Sequence, residues 1–132
     1  MRYRILGNTQ VHHLDGSPVA LGGARLRALL TVLALRPGRA APVGLLVDEV
    51  WGDRPPADAP AALQALVGRL RRVLGHDAVF SAEGGGYGLA AEDDDIDLHR
   101  FERLAADGAR ALEEGDAAKA TALLDDALAL WA

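Results

Sequence analysis

The sequence predicts an α+β fold: short antiparallel strands, a pair of helices joined by a turn, a β-hairpin, and then two further helices. Three observations predict it. Short extended segments bounded by Gly, Asn and Asp open the chain, and such runs between turn residues read as strands. Apolar residues recur at helical spacing through the middle, with Leu63, Val67, Leu70 and Leu74 at i, i+4, i+7 and i+11, which makes one stripe on an α-helix. Directly after that helix, Val79–Ser81 and Tyr87–Ala90 flank Glu83-Gly84-Gly85-Gly86, the pattern of a hairpin.

The chain has 132 residues, of which 50% are hydrophobic, enough to bury a core in one ordinary domain or a small domain with an appendage. It contains no cysteine, which excludes disulfides, thiolate metal sites and a thiol nucleophile. No apolar run approaches the roughly 18 residues of a membrane span, and the opening MRYRILGNTQ lacks the apolar core and cleavage site of a signal peptide. The expected location is the cytoplasm. The formal net charge of −5 hides a split. Residues 1–90 hold ten arginines against seven acids, giving +3, and residues 91–132 hold four bases against twelve acids, giving −8. Only the first part suits a polyanion. The expected organisation is therefore a basic domain over residues 1–91, followed over 92–132 by an acidic linker and a helical hairpin.

In chain order, Tyr3–Leu6, Gln10–His13 and Ser17–Leu21 read as strands separated by Gly7-Asn8 and Asp15-Gly16. Asp-Gly between extended segments is a strong hairpin signal. Tyr3, Ile5, Val11, Val19 and Leu21 are expected to face inward. His12 and His13 are adjacent and on a strand point to opposite faces, so they do not clamp one metal together. Gly22-Gly23 opens a helix with apolar positions Leu26, Leu29, Leu30, Val32, Leu33 and Leu35, closed by Pro37-Gly38. Arg25 and Arg27 stand in its first turn, where the helix dipole does not favour cations but a neighbouring phosphate would.

Val43–Trp51 forms a second helix with Leu45, Leu46, Val50 and Trp51 as its apolar side. The rigid loop Gly52–Pro56, which carries Arg54, leads to a third helix over residues 61–74, with Asp58 and Pro60 as start signals and Gly75 as stop. Two short helices joined by a turn, the second amphipathic and basic, match a helix-turn-helix. A hairpin directly behind it is where a wing would be. On the wheel Ala61, Ala65, Gly68 and Arg72 form the outward stripe, with Arg69 near it and Arg71 on a flank. The hairpin glycines are not a nucleotide loop, because no Lys-Ser or Lys-Thr follows and no helix opens behind them.

Glu92–Asp97, EDDDID, reads as a solvated linker ending in Asp97 as a helix cap; it lacks the Gly and terminal Glu of a calcium loop. Leu98–Glu114 and Ala117–Trp131 read as two helices around Gly115-Asp116. Phe101, Leu104, Ala105, Ala109 and Leu112 are expected to face Ala120, Leu123, Leu124, Ala127 and Leu128, in a tetratricopeptide-type pair of about 34 residues. Nothing in the chain supplies a Ser/His/Asp arrangement, metal-ligand spacing or a cofactor loop. An enzyme, a metal, a cofactor and a small-molecule substrate are not expected.

The ordered set Tyr3-Arg4-Ile5-Leu6-Gly7, Val19-Ala20-Leu21-Gly22-Gly23 with Arg25 and Arg27, Leu46 to Trp51-Gly52-Asp53, Pro55-Pro56, Leu63-Gln64 to Arg69-Leu70-Arg71, Gly86-Tyr87 and Asp97-Leu98-His99-Arg100-Phe101 resembles the actinobacterial antibiotic regulatory proteins. These are pathway-specific activators that join an OmpR-type winged helix to a bacterial transcriptional activation domain. The resemblance implies a transcriptional activator of a secondary-metabolite gene cluster. It would bind double-stranded DNA at promoter repeats, with the helix of residues 61–74 in the major groove and the hairpin around Gly86-Tyr87 near the minor groove. It also implies RNA polymerase near the loop Trp51–Pro56 and a homodimer on direct repeats. The candidate DNA-binding residues are Gln64, Arg69, Arg71, Arg72, Arg25, Arg27, Arg54 and Tyr87.

The chain departs from that family on the helix that would read bases. Hydroxyl and aromatic side chains are usual there, whereas this chain has Ala62, Ala65, Leu66 and Gly68. Few groups remain that can hydrogen-bond a base edge: Gln64 suits adenine and Arg69 guanine, while Arg71 and Arg72 suit phosphates. Weaker or less selective DNA binding is expected. The alternative is a winged-helix scaffold that binds a partner protein through the smooth Ala/Gly face.

Overall fold

The computed structural model describes residues 1–131. Three N-terminal strands, β1 (Arg2–Arg4), β2 (Gln10–His12) and β3 (Pro18–Val19), form one antiparallel sheet in the order β1-β2-β3. Tyr3 pairs with Val11, and Val11 with Val19. Because side chains alternate along a strand, this register puts Tyr3 and Val11 into the core and leaves Arg2, Arg4 and His12 on the other face. The turn closes through Asp15, whose carboxylate accepts from the Ser17 backbone N–H at 2.9 Å and from its hydroxyl.

Helix α1 (Ala24–Ala34) starts behind Gly23, whose φ of 91° is the left-handed region that favours glycine. It buries Leu26, Leu29, Leu30, Leu33 and Ala34. Leu35, expected on that face, is instead exposed, because the helix has ended one residue earlier. Helix α2 (Val43–Trp51) and helix α3 (Ala59–Leu74) follow. Between them Gly52, with φ 61°, donates its N–H to the Asp48 carbonyl and turns the chain. The Asp58 carboxylate accepts from the Ala61 N–H and caps α3, with Pro60 in its first turn. Leu63, Val67, Leu70 and Leu74 are buried as the spacing requires. Leu66, named among the residues of the reading helix, is buried with them: the stripe facing α1 and α2 is wider than the i, i+4, i+7 series.

The hairpin is β5 (Val79–Ser81) and β6 (Gly86–Leu89), and β6 also pairs with a short strand β4 (Ala41–Pro42), in the order β4-β6-β5. The sequence showed only a proline break at Pro42. Ala41 pairs there with Tyr87 and Pro42 with Gly86, so the wing is anchored from both sides. Gly86 and Gly88 are required by close approach: a Cβ on Gly86 would lie 2.7 Å from the Ala41 carbonyl oxygen, and one on Gly88 would run into the Phe80 ring.

The acidic stretch is not a free linker. Residues Asp93–Asp95 form a single 3₁₀ turn closed by reciprocal Glu92 and Asp95 side-chain bonds, and Ile96 is fully buried and bridges Tyr3 in parallel. Asp97 is not the cap but the first residue of helix α4 (Asp97–Glu113). Its buried carboxylate accepts from the backbone N–H groups of Ile5, Leu6 and Leu98 at 2.7, 3.2 and 2.8 Å. Helix α5 (Ala117–Ala129), capped by Asp116, returns along α4. The seam is built on small residues, with Gly108, Ala111, Ala120 and Ala127 buried. Ala109, Leu112 and Leu128, expected in the seam, are exposed, whereas Leu124, though partly exposed, lies over Gly108, where a Cβ would come within 2.9 Å of its side chain. Phe101 and Trp131 stack edge to face at 5.6 Å between ring centroids. No helix among the described residues is long and apolar enough to cross a membrane.

Candidate nucleic-acid interface

Burial of one face of α3 decides what the other can present. With Leu63, Leu66, Val67, Leu70 and Leu74 turned inward, Ala61, Gln64, Ala65, Arg69 and Arg72 are exposed and Gly68 is half-buried. A Cβ on Gly68 would meet nothing within 4 Å, so this stripe is open. It is smooth over two turns, and its polar groups lie at the edges, Gln64 early and Arg69 and Arg72 late. The last two follow the helix toward its C-terminus, where the dipole favours cations.

The arginines are held by neutral partners. Arg69 donates to the Gly22 carbonyl at 3.3 Å, across from the start of α1. Arg27 donates to the Leu21 carbonyl at 3.1 Å, and Arg72 back to the Gly68 carbonyl at 3.4 Å. The Arg25 guanidinium lies 5.9 Å from the centre of the Trp51 ring, within the range of a cation–π contact. No carboxylate forms an ion pair with Arg25, Arg27, Arg54, Arg69, Arg71 or Arg72 among the described residues. Their positive charge is uncompensated locally and available to an anion.

Arg71 differs from the others. Its Nε donates to the Val79 carbonyl and a terminal nitrogen to the Ser81 hydroxyl, both at 3.0 Å. The guanidinium thus ties α3 to the first strand of the wing, and its role is to position the hairpin. Ser81 was not a sequence candidate. A hydroxyl ten residues beyond Arg71, across a glycine stop, carries no local signal of the contact.

The predicted residues fall into separate groups. Arg25 and Arg69 line one shallow groove with Gly22, Gly23 and Val50, at the junction of α1 and α3. Arg71 reaches Ser81 at the turn end of the hairpin, where Ser81 pairs with Tyr87. Tyr87 is half-buried against the core, which limits what it offers a ligand. Arg54 is exposed in the loop between α2 and α3. Arg27 lies toward the N-terminal sheet, in a groove with Thr9, Val11 and Pro18.

Comparison with known proteins bears on this geometry. The family described as "Transcriptional regulatory protein, C terminal" matches residues 16–89, and the "Bacterial transcriptional activator domain" matches residues 96–132. The chain is 39% identical over 132 residues to the regulatory protein AfsR of Streptomyces griseus, covering 99% of this chain and 13% of that protein. It is 36% identical over 141 residues to the regulatory protein DnrI of Streptomyces peucetius, covering 99% of this chain and 52% of that one. It therefore spans about an eighth to a half of the length of these relatives. Among solved structures, Mycobacterium tuberculosis EmbR, determined in complex with a low-affinity phosphopeptide, superposes with a TM-score of 0.90 at 31% identity, over 99% of this chain and 36% of that one. The DNA-binding domain of Bacillus subtilis CssR superposes with a TM-score of 0.54 at 26% identity, over 66% of this chain and 98% of that one.

Proposed function

We infer the function from one premise: the chain belongs to the actinobacterial antibiotic regulatory protein family, with a transcriptional regulatory domain of OmpR type followed by a bacterial transcriptional activator domain. On that premise its residues 1–91 bind double-stranded DNA and its residues 92–132 begin an activation unit. We propose that α3 enters the major groove, with Gln64 and Arg69 reaching base edges and Arg72 a phosphate. The hairpin around Gly86-Tyr87 follows the neighbouring minor groove, and Arg25 and Arg27 meet the backbone. The loop Trp51–Pro56, with exposed Arg54, faces RNA polymerase, and two copies bind direct repeats upstream of the genes activated. Work on a promoter places the chain in the cytoplasm.

The observation that carries this reading is the set of guanidinium groups around α3 without ion-pair partners among the described residues, in a chain of net charge −5. Retaining unpaired positive charge at one end of an acidic chain is what a phosphate ladder requires. The test is binding of the purified chain to its own upstream DNA and to scrambled DNA of equal length, at two salt concentrations. Tight binding to the native sequence with a steep salt slope supports the reading; equal, weak binding to both overturns its sequence-specific part.

One observation favours a second reading. The exposed Ala61 and Ala65 and the half-buried Gly68 make a surface that fits an apolar protein partner better than a base edge. In that case affinity for the partner would be insensitive to salt and to DNA, and enlarging Ala65 or Gly68 would abolish it.

A further inference from the structure

A cavity of about 330 Å³ opens where β1, the turn between β2 and β3, the start of α4 and the end of α5 meet. It lies outside the α3 and wing residues assigned to DNA. Arg4, His12, His13 and Arg100 line it, joined by Arg2.

Arg2, Arg4 and Arg100 bring three guanidinium groups to this wall against two carboxylates, Asp95 and Asp97, which leaves it with one net positive charge. Asp97 accepts from the N–H groups of Ile5, Leu6 and Leu98, and Asp95 accepts from the Glu92 N–H at 3.0 Å. Arg2 donates to the Asp94 carbonyl at 2.7 Å. By contrast, neither Arg4 nor the half-buried Arg100 has an ion-pair partner among the described residues. Nδ1 of His12 is buried and has no hydrogen-bond partner among the described residues. A buried polar atom without a partner is costly unless something satisfies it. Tyr3 adds no negative charge, since burial and then the charge of Asp95 push its phenol above the usual tyrosine range.

We propose that this cavity binds a small oxyanion, a ligand carrying a phosphoryl or carboxylate group, held by the guanidinium groups of Arg4 and Arg100 and by the imidazole of His12. Guanidinium forks match the geometry of both anions, and the volume accommodates one small molecule rather than a duplex backbone. The ligand would bridge the N-terminal sheet and the α4–α5 hairpin, which meet on either side of the cavity.

The experiment titrates the chain with inorganic pyrophosphate and, separately, with citrate, each against sodium chloride at matched ionic strength, following the His12 imidazole resonances by NMR. Saturable shifts with one of the two anions and not with chloride are expected, and which anion saturates says whether phosphoryl or carboxylate is preferred. Arg4→Gln and Arg100→Gln should each weaken binding roughly tenfold, the loss of one charge-assisted pair. Arg110→Gln, on an arginine already paired with Asp107, should leave it unchanged. Arg4 is exposed, so its variant keeps the test independent of folding. Shifts that rise linearly, equal responses to chloride, equal weakening by Arg110→Gln, or displacement of the anion by duplex DNA would each overturn the proposal.

Discussion

The carboxylate of Asp97 accepts a hydrogen bond from the backbone N–H of Ile5 at 2.7 Å, joining residues 92 apart in sequence. The same carboxylate takes the Leu6 N–H, so the end of β1 is held by the first residue of α4. The acidic stretch before it is thereby drawn against the sheet, with Ile96 in the core. Asp97→Ala would leave the backbone donors of Ile5, Leu6 and Leu98 without this partner and should cost ~3 kcal/mol, read as a lowered urea midpoint. Asp93→Ala, at an exposed position of the same stretch, should stay within about 0.5 kcal/mol of the parent. Equal losses in both would mean that acidity, and not the anchor, matters.

Arg71 separates stability from charge. Its fork reaches Val79 and Ser81, and a lysine keeps the charge but not the fork. Arg71→Lys should therefore destabilise almost as much as Arg71→Ala, about 1–2 kcal/mol, and should speed amide exchange in Val79–Ser81. Were Arg71→Lys to match the parent in both, Arg71 would be a phosphate contact and not a wing clamp.

The outer face of α3 can be tested at its edges. Arg72→Ala should lower DNA affinity alike for native and scrambled sequences and flatten the salt dependence by about one unit of slope. Gln64→Ala and Arg69→Ala should instead narrow the gap between the two sequences, by about 1–3 kcal/mol for a base pair that is read. Anisotropy titrations at two salt concentrations distinguish these outcomes. Wild-type behaviour in all three variants would show that a different face meets DNA.

How much of this was legible in the sequence depends on whether the signal was local. The α3 stripe, its Asp58 cap and its Gly75 stop follow from spacing within one helix, and they stand in the structure as the sequence predicts. The helix-turn-helix and wing likewise follow from runs of neighbouring residues. What was not legible depends on partners far along the chain. Strand β4 is two residues long and exists only because β6 pairs with it. Asp97 looked like a cap because its true partners, Ile5 and Leu6, lie at the other end of the sequence. The exposure of Leu112 and Leu128 follows from how closely α4 and α5 approach at Gly108 and Ala120, which hydrophobic spacing does not encode. At the interface, the helical wheel separates Arg69 from the flanking Arg71, but not the neighbours that Gly22 and Ser81 supply to them.

Three glycines make opposite predictions. At Gly86 a Cβ would press on the Ala41 carbonyl, and at Gly88 on the Phe80 ring and the Arg39 carbonyl oxygen, the latter at 2.9 Å. Backbone on one side and a packed ring on the other leave little room to yield, so Gly86→Ala and Gly88→Ala should each destabilise by about 1–3 kcal/mol and loosen the wing. Gly68 lies inside α3 with open space where its Cβ would be, and a helix-interior glycine costs roughly 0.5–1 kcal/mol relative to alanine. Gly68→Ala should therefore raise the unfolding midpoint. Because a methyl group adds no hydrogen-bonding capacity, it should leave the preference between native and scrambled DNA unchanged. Thermal unfolding and anisotropy on the same three variants check both halves. A Gly68→Ala protein that is more stable but no longer binds DNA would mean that the backbone of α3 must approach the duplex too closely for a methyl group. Gly68 would then be a contact and not a gap in the reading face.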